Sequence, residues 1–169
     1  MLRVLYLGQK WIGEKCFDLL RSSPSSVTIC GAVSNLAETV WWKTNAISRQ
    51  CRESGIPLLS NEKKDFQALL SLVRETRPNM ILSVQHPWVI PPQVLNAAAL
   101  GSFNLHNAKL PEYRGYNSCN HAILNGDRVY TCTLHHMAAD ADRGDIALEE
   151  TFDIAADETA RSLYGRAME

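Results

Sequence analysis

An asparagine and a histidine stand two residues apart where an apolar stretch ends, in the segment FNLHNAKLPEYRG from Phe103 to Gly115. Side chains alternate along an extended strand, so Asn104 and His106 should point to the same side, about 7 Å apart. An amide and an imidazole aimed at one point can bind an oxygen that gains negative charge during a reaction. The alternative is that these polar residues merely cap the end of a strand.

A second candidate for chemistry is an acidic loop in the segment TLHHMAADADRGDI. The loop follows a predicted strand and contains Asp140, Asp142, Gly144 and Asp145. A carboxylate here could orient a histidine or accept a proton from a nucleophile. Aspartate and glycine are also common in solvated turns, and a plain turn is therefore the alternative.

The sequence gives no pattern for a metal site. The candidate ligands are His86, His106, His121, His135, His136, Cys119 and Cys132. Their spacing matches no zinc site, and the adjacent His135 and His136 would face opposite sides of a strand. We therefore predict that the protein has no metal. The segment LGQKWIG also lacks the glycine patterns of dinucleotide and phosphate-binding loops.

Strand and helix patterns alternate along the first hundred residues and must position these side chains. Strands are predicted in RVLYLG, VTICGAVSN, IPLL, NMILSV and GSFNLH. Among the helices between them, one starts at Trp41 and is closed by Gly55, and another has Asp65 as its N-cap. Another short helix is predicted in PPQVLNAAAL. After His106 we expect a helix in NSCNHAILNG, two more strands and a last helix capped by Asp157. The pattern predicts an α/β fold with a mostly parallel, twisted sheet and helices on both faces. Ligands then bind beyond the carboxyl ends of the strands.

The loop after the fourth predicted strand, HPWVIPP, is unusually apolar for a connecting segment. It carries an aromatic residue and two β-branched residues where a polar loop is expected. An apolar slot for a flat heterocycle would explain this composition, and so would plain packing.

Length and composition restrict the class of protein. A chain of 169 residues suits one domain, which we place at 1–169, and the last helix pattern has no stop signal before Glu169, so the natural protein can continue. The net charge of -1 gives no electrostatic reason to expect a nucleic-acid partner. The odd number of cysteines, without a C-x-x-C pair, indicates reduced thiols in the cytoplasm. The N-terminal apolar run of about five residues is too short for a signal peptide or a membrane span.

Four motifs taken together resemble one known family. They are N-L-H, L-P-E-Y-R-G, A-I-L-N-G-D and T-L-H-H-M-x-x-x-x-D-x-G-D-I, and they lie between about Met80 and Ile154. This combination resembles the catalytic domain of the 10-formyltetrahydrofolate-dependent formyltransferases, which has a Rossmann-like fold. The family includes enzymes that act on methionyl-tRNA, on glycinamide ribonucleotide and on sugar nucleotides.

The resemblance implies the roles of particular residues. A catalytic triad falls on Asn104, His106 and Asp142, and 10-formyltetrahydrofolate is the formyl donor. The residues implied for folate binding are His86, Pro87, Trp88, Val89, Ile90, Ala138, Ala139, Asp140 and Asp142. Many relatives read H-x-S-L-L-P after the strand, whereas this chain reads H-N-A-K-L-P, a stretch that contains Asn107 and Lys109.

The acceptor that we predict is a primary amine, most specifically the amino group of a nucleotide-linked amino sugar, because the L-P-E-Y-R-G segment is closest to that branch. The alternatives are hydroxyornithine, a carrier-bound amino acid, methionyl-tRNA, and a folate-binding module without catalysis. No membrane partner is expected, and a homodimer is left open.

Overall fold

The computed structural model describes residues 1–36 and 46–168. The strands are β1 Leu2–Gly8, β2 Val27–Ser34, β3 Leu58–Ser60, β4 Met80–Val84, β5 Ser102–His106, β6 Val129–His136 and β7 Ile146–Asp153. The helices are α1 Lys10–Arg21, α2 Ile47–Ser54, α3 Phe66–Thr76, α4 Pro92–Leu95, α5 Ser118–Asn125 and α6 Ala160–Arg166. Contacts divide the chain into two compact units, Met1–Phe103 and Asn104–Glu169.

The first unit contains a parallel sheet in the order β3-β2-β1-β4. Its central strand β1 pairs on one side with β2, where Leu2 lies opposite Val27, and on the other with β4, where Val4 lies opposite Met80. β1 is buried from Val4 through Leu7. A strand buried on both faces has a continuous apolar run, which is why RVLYLG shows no alternation.

Helices cover both faces of this sheet. The Tyr6 ring of β1 meets Phe17 of α1 edge to face, with 5.3 Å between ring centroids. The neighbouring Leu5 points to the opposite face, where it approaches Gly31 together with Leu72 of α3. The predicted α/β class, with a mostly parallel sheet and helices on both faces, is confirmed.

The second unit contains the end of β5 together with β6 and β7. β6 and β7 are antiparallel, with Val129 opposite Asp153, and their register shifts between Leu134 and His135. Helices α5 and α6 contribute to a small apolar core around Tyr130 and Leu163. The unit thus carries its own hydrophobic cluster beside the strand ends.

Several predicted helix ends are confirmed and one is wrong. Gly55 and Gly126 close α2 and α5 in the left-handed conformation, and the Asp65 carboxylate accepts from the N–H of Ala68 at the start of α3. Asp157 does not cap α6. Thr159, two residues after Asp157, caps the helix instead. Its hydroxyl accepts from the Ser162 N–H, and the Ser162 hydroxyl accepts from the Thr159 N–H, which together form a capping box.

Two helix predictions differ in extent. The one in PPQVLNAAAL is a single turn, Pro92–Leu95, and α2 starts at Ile47, with the predicted start at Trp41 outside the described residues. None of the helices in the described ranges is long and apolar enough to cross a membrane.

Candidate active site in the second unit

His106 is the last residue of β5, and a backbone hydrogen bond fixes the orientation of its ring. Nε2 donates to the carbonyl oxygen of Tyr113 at 2.7 Å. A carbonyl can only accept, so Nε2 carries the proton and Nδ1 is the nitrogen left for chemistry. Nδ1 lies 3.7 Å from Oδ1 of Asp142, beyond ordinary hydrogen-bond length. The side chain of His106 is 11% exposed, so a ligand can reach it.

Asp142 lies in the acidic loop and is held from two sides. Its backbone has a φ of 54°, a left-handed conformation that Asp tolerates better than most residues. The N–H of Gly115 donates to Oδ2 at 3.3 Å, and Nε of Arg114 donates to the backbone oxygen at 3.0 Å. The pKa of the Asp142 carboxyl is lowered from its usual value, chiefly by the His135 imidazole 3.6 Å away, against the opposing effect of burial, and further by His106 and the Gly115 N–H. The carboxylate is therefore ionised at neutral pH.

His135 also belongs to the site, although from the sequence we named it only as a candidate metal ligand. It lies at the register shift of β6, and such bulges often redirect a side chain. Its ring Nδ1 donates to the carbonyl oxygen of His136 at 2.8 Å, and Nε2 lies 3.6 Å from Oδ1 of Asp142. His135 is 1% exposed. A histidine on the buried face of a predicted strand was the signal that could have identified it.

Asn104 completes the cluster through His135. Its Nδ2 lies 3.1 Å from Nε2 of His135, which accepts this hydrogen bond when the ring is neutral. When the ring is protonated, the same nitrogen donates toward Asp142 instead. Asn104, His106, His135 and Asp142 are therefore linked in a chain of contacts from 3.1 to 3.7 Å. Such a cluster can donate hydrogen bonds to a developing oxyanion and move a proton.

The two loops beside this cluster, the one after β5 and the acidic loop, are fixed by contacts of their own. The Tyr113 hydroxyl donates to Asp127 and accepts from Nδ2 of Asn125 at 2.9 Å. A side chain at Gly144 would overlap the carbonyl of His136, so the acidic loop can approach β6 closely only with glycine there. The backbone that positions the cluster is therefore held by specific residues.

The predicted folate residues of the first unit follow β4 and include a half-buried histidine. Both ring nitrogens of His86 are buried and have no hydrogen-bond partner among the described residues. Burial lowers the pKa of His86 to about 4, so the ring is neutral. His86 meets the edge of Trp88 at 5.1 Å, and Trp88 meets Phe66 at 6.3 Å, both measured between ring centroids. Buried unsatisfied nitrogens in an aromatic setting are suited to a ligand that supplies the missing partners.

The other predicted binding residues differ in exposure. Pro87 and Val89 are exposed, whereas Ile90 is buried. In the second unit, Ala139 and Asp140 are exposed and Ala138 is half-buried. Their role in binding stays a prediction. Within the parts of the chain that the structure describes, no three His, Cys, Asp or Glu side chains are grouped to hold a metal ion.

Comparisons with known proteins identify the class. A family model described as formyl transferase matches residues 2–169. Methionyl-tRNA formyltransferase from Chlorobium luteolum (strain DSM 273 / BCRC 81028 / 2530) is 37% identical over 117 residues, which make up 69% of this chain and 37% of that protein.

Solved structures show the same fold. Phosphoribosylglycinamide formyltransferase from Anaplasma phagocytophilum matches with a TM-score of 0.81 and 24% identity, over 99% of this chain and 79% of that one. Formyltetrahydrofolate deformylase from Pseudomonas syringae pv. tomato str. DC3000 matches with a TM-score of 0.81 and 18% identity, over 99% and 56%.

The α/β fold is therefore shared with enzymes of formyl-group chemistry. The chain belongs to the formyl transferase family. The resemblance seen in the sequence is confirmed, and with it 10-formyltetrahydrofolate as the formyl donor of the family. The matched part spans only 37% of the length of the curated relative.

Proposed function

We propose that residues 1–169 are the catalytic domain of an enzyme that transfers a formyl group from 10-formyltetrahydrofolate to a primary amine. The observation that carries the proposal is the cluster in the second unit. There an ionised Asp142 lies between the imidazoles of His106 and His135, and Asn104 contacts His135. The alternative of a folate-binding module without catalysis gives no reason for this arrangement.

The reaction joins the acceptor nitrogen to the formyl carbon. The neutral amine attacks that carbon, the carbonyl electrons move to oxygen, and a tetrahedral oxyanion forms. The bond to N10 of the folate then breaks, N10 takes a proton, and the amine loses one. Asn104 and His106 act as hydrogen-bond donors to the oxyanion, and one such donor typically contributes about 3–4 kcal/mol.

The lowered pKa of Asp142 favours one of two possible roles for this carboxylate. A carboxylate of low pKa is a poor acceptor for an ammonium proton, but it stabilises a neighbouring imidazolium well. Asp142 therefore acts as the anionic partner of the imidazoles beside it. The proton of the amine passes to an imidazole or to water beside the carboxylate, because imidazole is the better-matched base near neutral pH.

The donor-binding proposal for the first unit rests on His86. Its ring nitrogens, which have no hydrogen-bond partner in the described ranges, and its aromatic neighbour Trp88 are suited to the polar edge and the flat face of a reduced pterin. We expect 5-formyltetrahydrofolate, a stable analogue of the donor, to raise the melting temperature. At a concentration 100 times its dissociation constant, this ligand adds about 2.7 kcal/mol to the free energy of unfolding. His86→Leu should reduce this shift, and no shift at millimolar concentrations in the unaltered protein would contradict the donor.

Two acceptors are each supported by one observation. The segment L-P-E-Y-R-G-Y-N is closest to the sugar-nucleotide branch, which supports a nucleotide-linked amino sugar. The 37% identity to a methionyl-tRNA formyltransferase supports methionyl-tRNA, whereas the net charge of -1 over these residues counts modestly against it. Hydroxyornithine and carrier-bound amino acids are further candidate acceptors.

A screen of amines with 10-formyltetrahydrofolate tests the function. Tetrahydrofolate release is followed with each acceptor, and a reaction without amine measures hydrolysis. Formylated product from one amine class, lost in His106→Asn at unchanged folate affinity, is the expected result. Full turnover per folded molecule in His106→Asn would end the proposed mechanism.

A further inference from the structure

The carbonyl of the residue after His106 is held by two hydroxyl groups. The backbone oxygen of Asn107 accepts from the Tyr130 hydroxyl at 2.5 Å and from Oγ of Ser118 at 2.7 Å. Asn107 and Tyr130 are 5% and 3% exposed. Both lone pairs of this carbonyl are therefore used, away from water, directly beside the catalytic ring.

The Asn107 side chain and the next peptide are held as well. Sγ of Cys132 donates to Oδ1 of Asn107 at 3.1 Å, and Oγ1 of Thr133 donates to the backbone oxygen of Ala108 at 2.8 Å. Sγ of Cys119 lies 3.0 Å from the Tyr130 hydroxyl. Since the tyrosine proton goes to Asn107, the thiol is the donor of that contact. The hydroxyls of Ser118 and Tyr130 also lie 2.9 Å apart, and since both of their protons go to Asn107, this contact of the network is without a donor.

The network matters because the catalytic ring has little tolerance for rotation. Nε2 of His106 must stay 2.7 Å from the Tyr113 carbonyl for Nδ1 to face Asp142. The carbonyl that Tyr130 holds belongs to the peptide that joins Asn107 to Ala108, one peptide beyond the one that joins His106 to Asn107. If that carbonyl shifts, the backbone of Asn107 shifts with it and moves the peptide bonded to Cα of His106, so the ring loses its alignment.

We propose that Tyr130 is a positioning residue for His106, which it orients through the carbonyl of Asn107. The proposal rests on the proposed function in so far as His106 takes part in formyl transfer. A purely structural role is the alternative, because the Tyr130 ring also packs in the cluster with Ala122 and Leu163. The two roles differ in what they predict for the His106 ring itself.

The test compares Tyr130→Phe with Tyr164→Phe in the full-length protein. Tyr130→Phe keeps the aromatic packing and removes only the hydroxyl. Tyr164 packs against the same cluster and has no hydrogen bond to Asn107, so Tyr164→Phe is the matched control. We expect kcat to fall at least about tenfold in Tyr130→Phe, with KM for the folate donor nearly unchanged and the control like the unaltered protein.

A second readout does not depend on turnover. In protein labelled with ¹⁵N-histidine, the Nε2 proton of His106, bonded to Tyr113, gives a protected NMR signal, assigned by its loss in His106→Asn. Tyr130→Phe should shift this signal or speed its exchange, and Tyr164→Phe should not. An unchanged His106 signal in Tyr130→Phe overturns the proposal, even if the variant melts earlier. If no amine is formylated, the proposed function fails, while the NMR comparison still decides whether Tyr130 positions His106.

Discussion

The buried ring of His86 should make the stability of the fold depend on pH. Its pKa is lowered from 6.5 to about 4 by burial. The unfolded state therefore binds the proton more strongly than the folded state does. The contribution of His86 to the free energy of unfolding is fully present above pH 6.5, the pKa of this residue in the unfolded state, and is lost as the pH falls toward about 4.

The size of this effect follows from the difference in pKa. One pKa unit corresponds to about 1.4 kcal/mol, so the full contribution is about 3 kcal/mol. Between about pH 7.5 and about pH 5, protonation of His86 should lower the free energy of unfolding by about 2 kcal/mol. This is a large share of the 5–15 kcal/mol that is typical of native proteins.

Urea unfolding at those two pH values measures the effect. His86→Leu removes the titrating ring, so its free energy of unfolding should change about 2 kcal/mol less between the two conditions than that of the unaltered protein. His121→Leu removes an exposed histidine by the same substitution and serves as the control. Equal pH dependence in the unaltered protein and in His86→Leu would refute the idea that burial keeps this ring neutral.

Four further predictions concern the cluster in the second unit and the acidic loop. Asp142→Asn should keep the fold and folate binding, because Asn suits the left-handed backbone at least as well, but it should lose most turnover; near-normal turnover would remove this carboxylate from the mechanism. The pKa of Asp142 is lowered, so its carboxylate is ionised throughout the range from about pH 6 to about pH 9. The loss of kcat in Asp142→Asn should therefore be nearly constant across that range. His106→Asn and Asn104→Ala should each lower kcat about a hundredfold, and the double variant should lose much less than the product of the two effects. A loss equal to the full product would show that the two donors act separately. Gly144→Ala should lower the free energy of unfolding by at least about 1 kcal/mol in urea titrations. Gly165→Ala in α6 is the control, because an added methyl there meets nothing within 4 Å. Equal stability of the two variants would contradict the close approach of the acidic loop.

The amino-acid sequence by itself determined the class of fold and the family. Apolar runs such as RVLYLG show where buried strands lie, because a strand covered on both faces has no polar alternation. Local chemistry also fixed the ends of α2, α3 and α5, since Gly55, Asp65 and Gly126 act on their immediate neighbours. The cap of α6 was missed, because both Asp157 and Thr159 are good caps and only the path of the chain selects between them.

The tertiary structure decided what each side chain of the cluster contacts. The sequence placed Asn104 and His106 on one strand, but their side-chain partners His135 and Asp142 come from later segments of the chain. The register shift at His135, the carbonyl of Tyr113 and the hydroxyl of Tyr130 have no local signature, because their effect depends on where other strands and loops lie. Residue types and spacing therefore name the chemistry, whereas the folded path of the loop after β5 brings the Tyr113 carbonyl to His106 and so selects the ring nitrogen that faces Asp142.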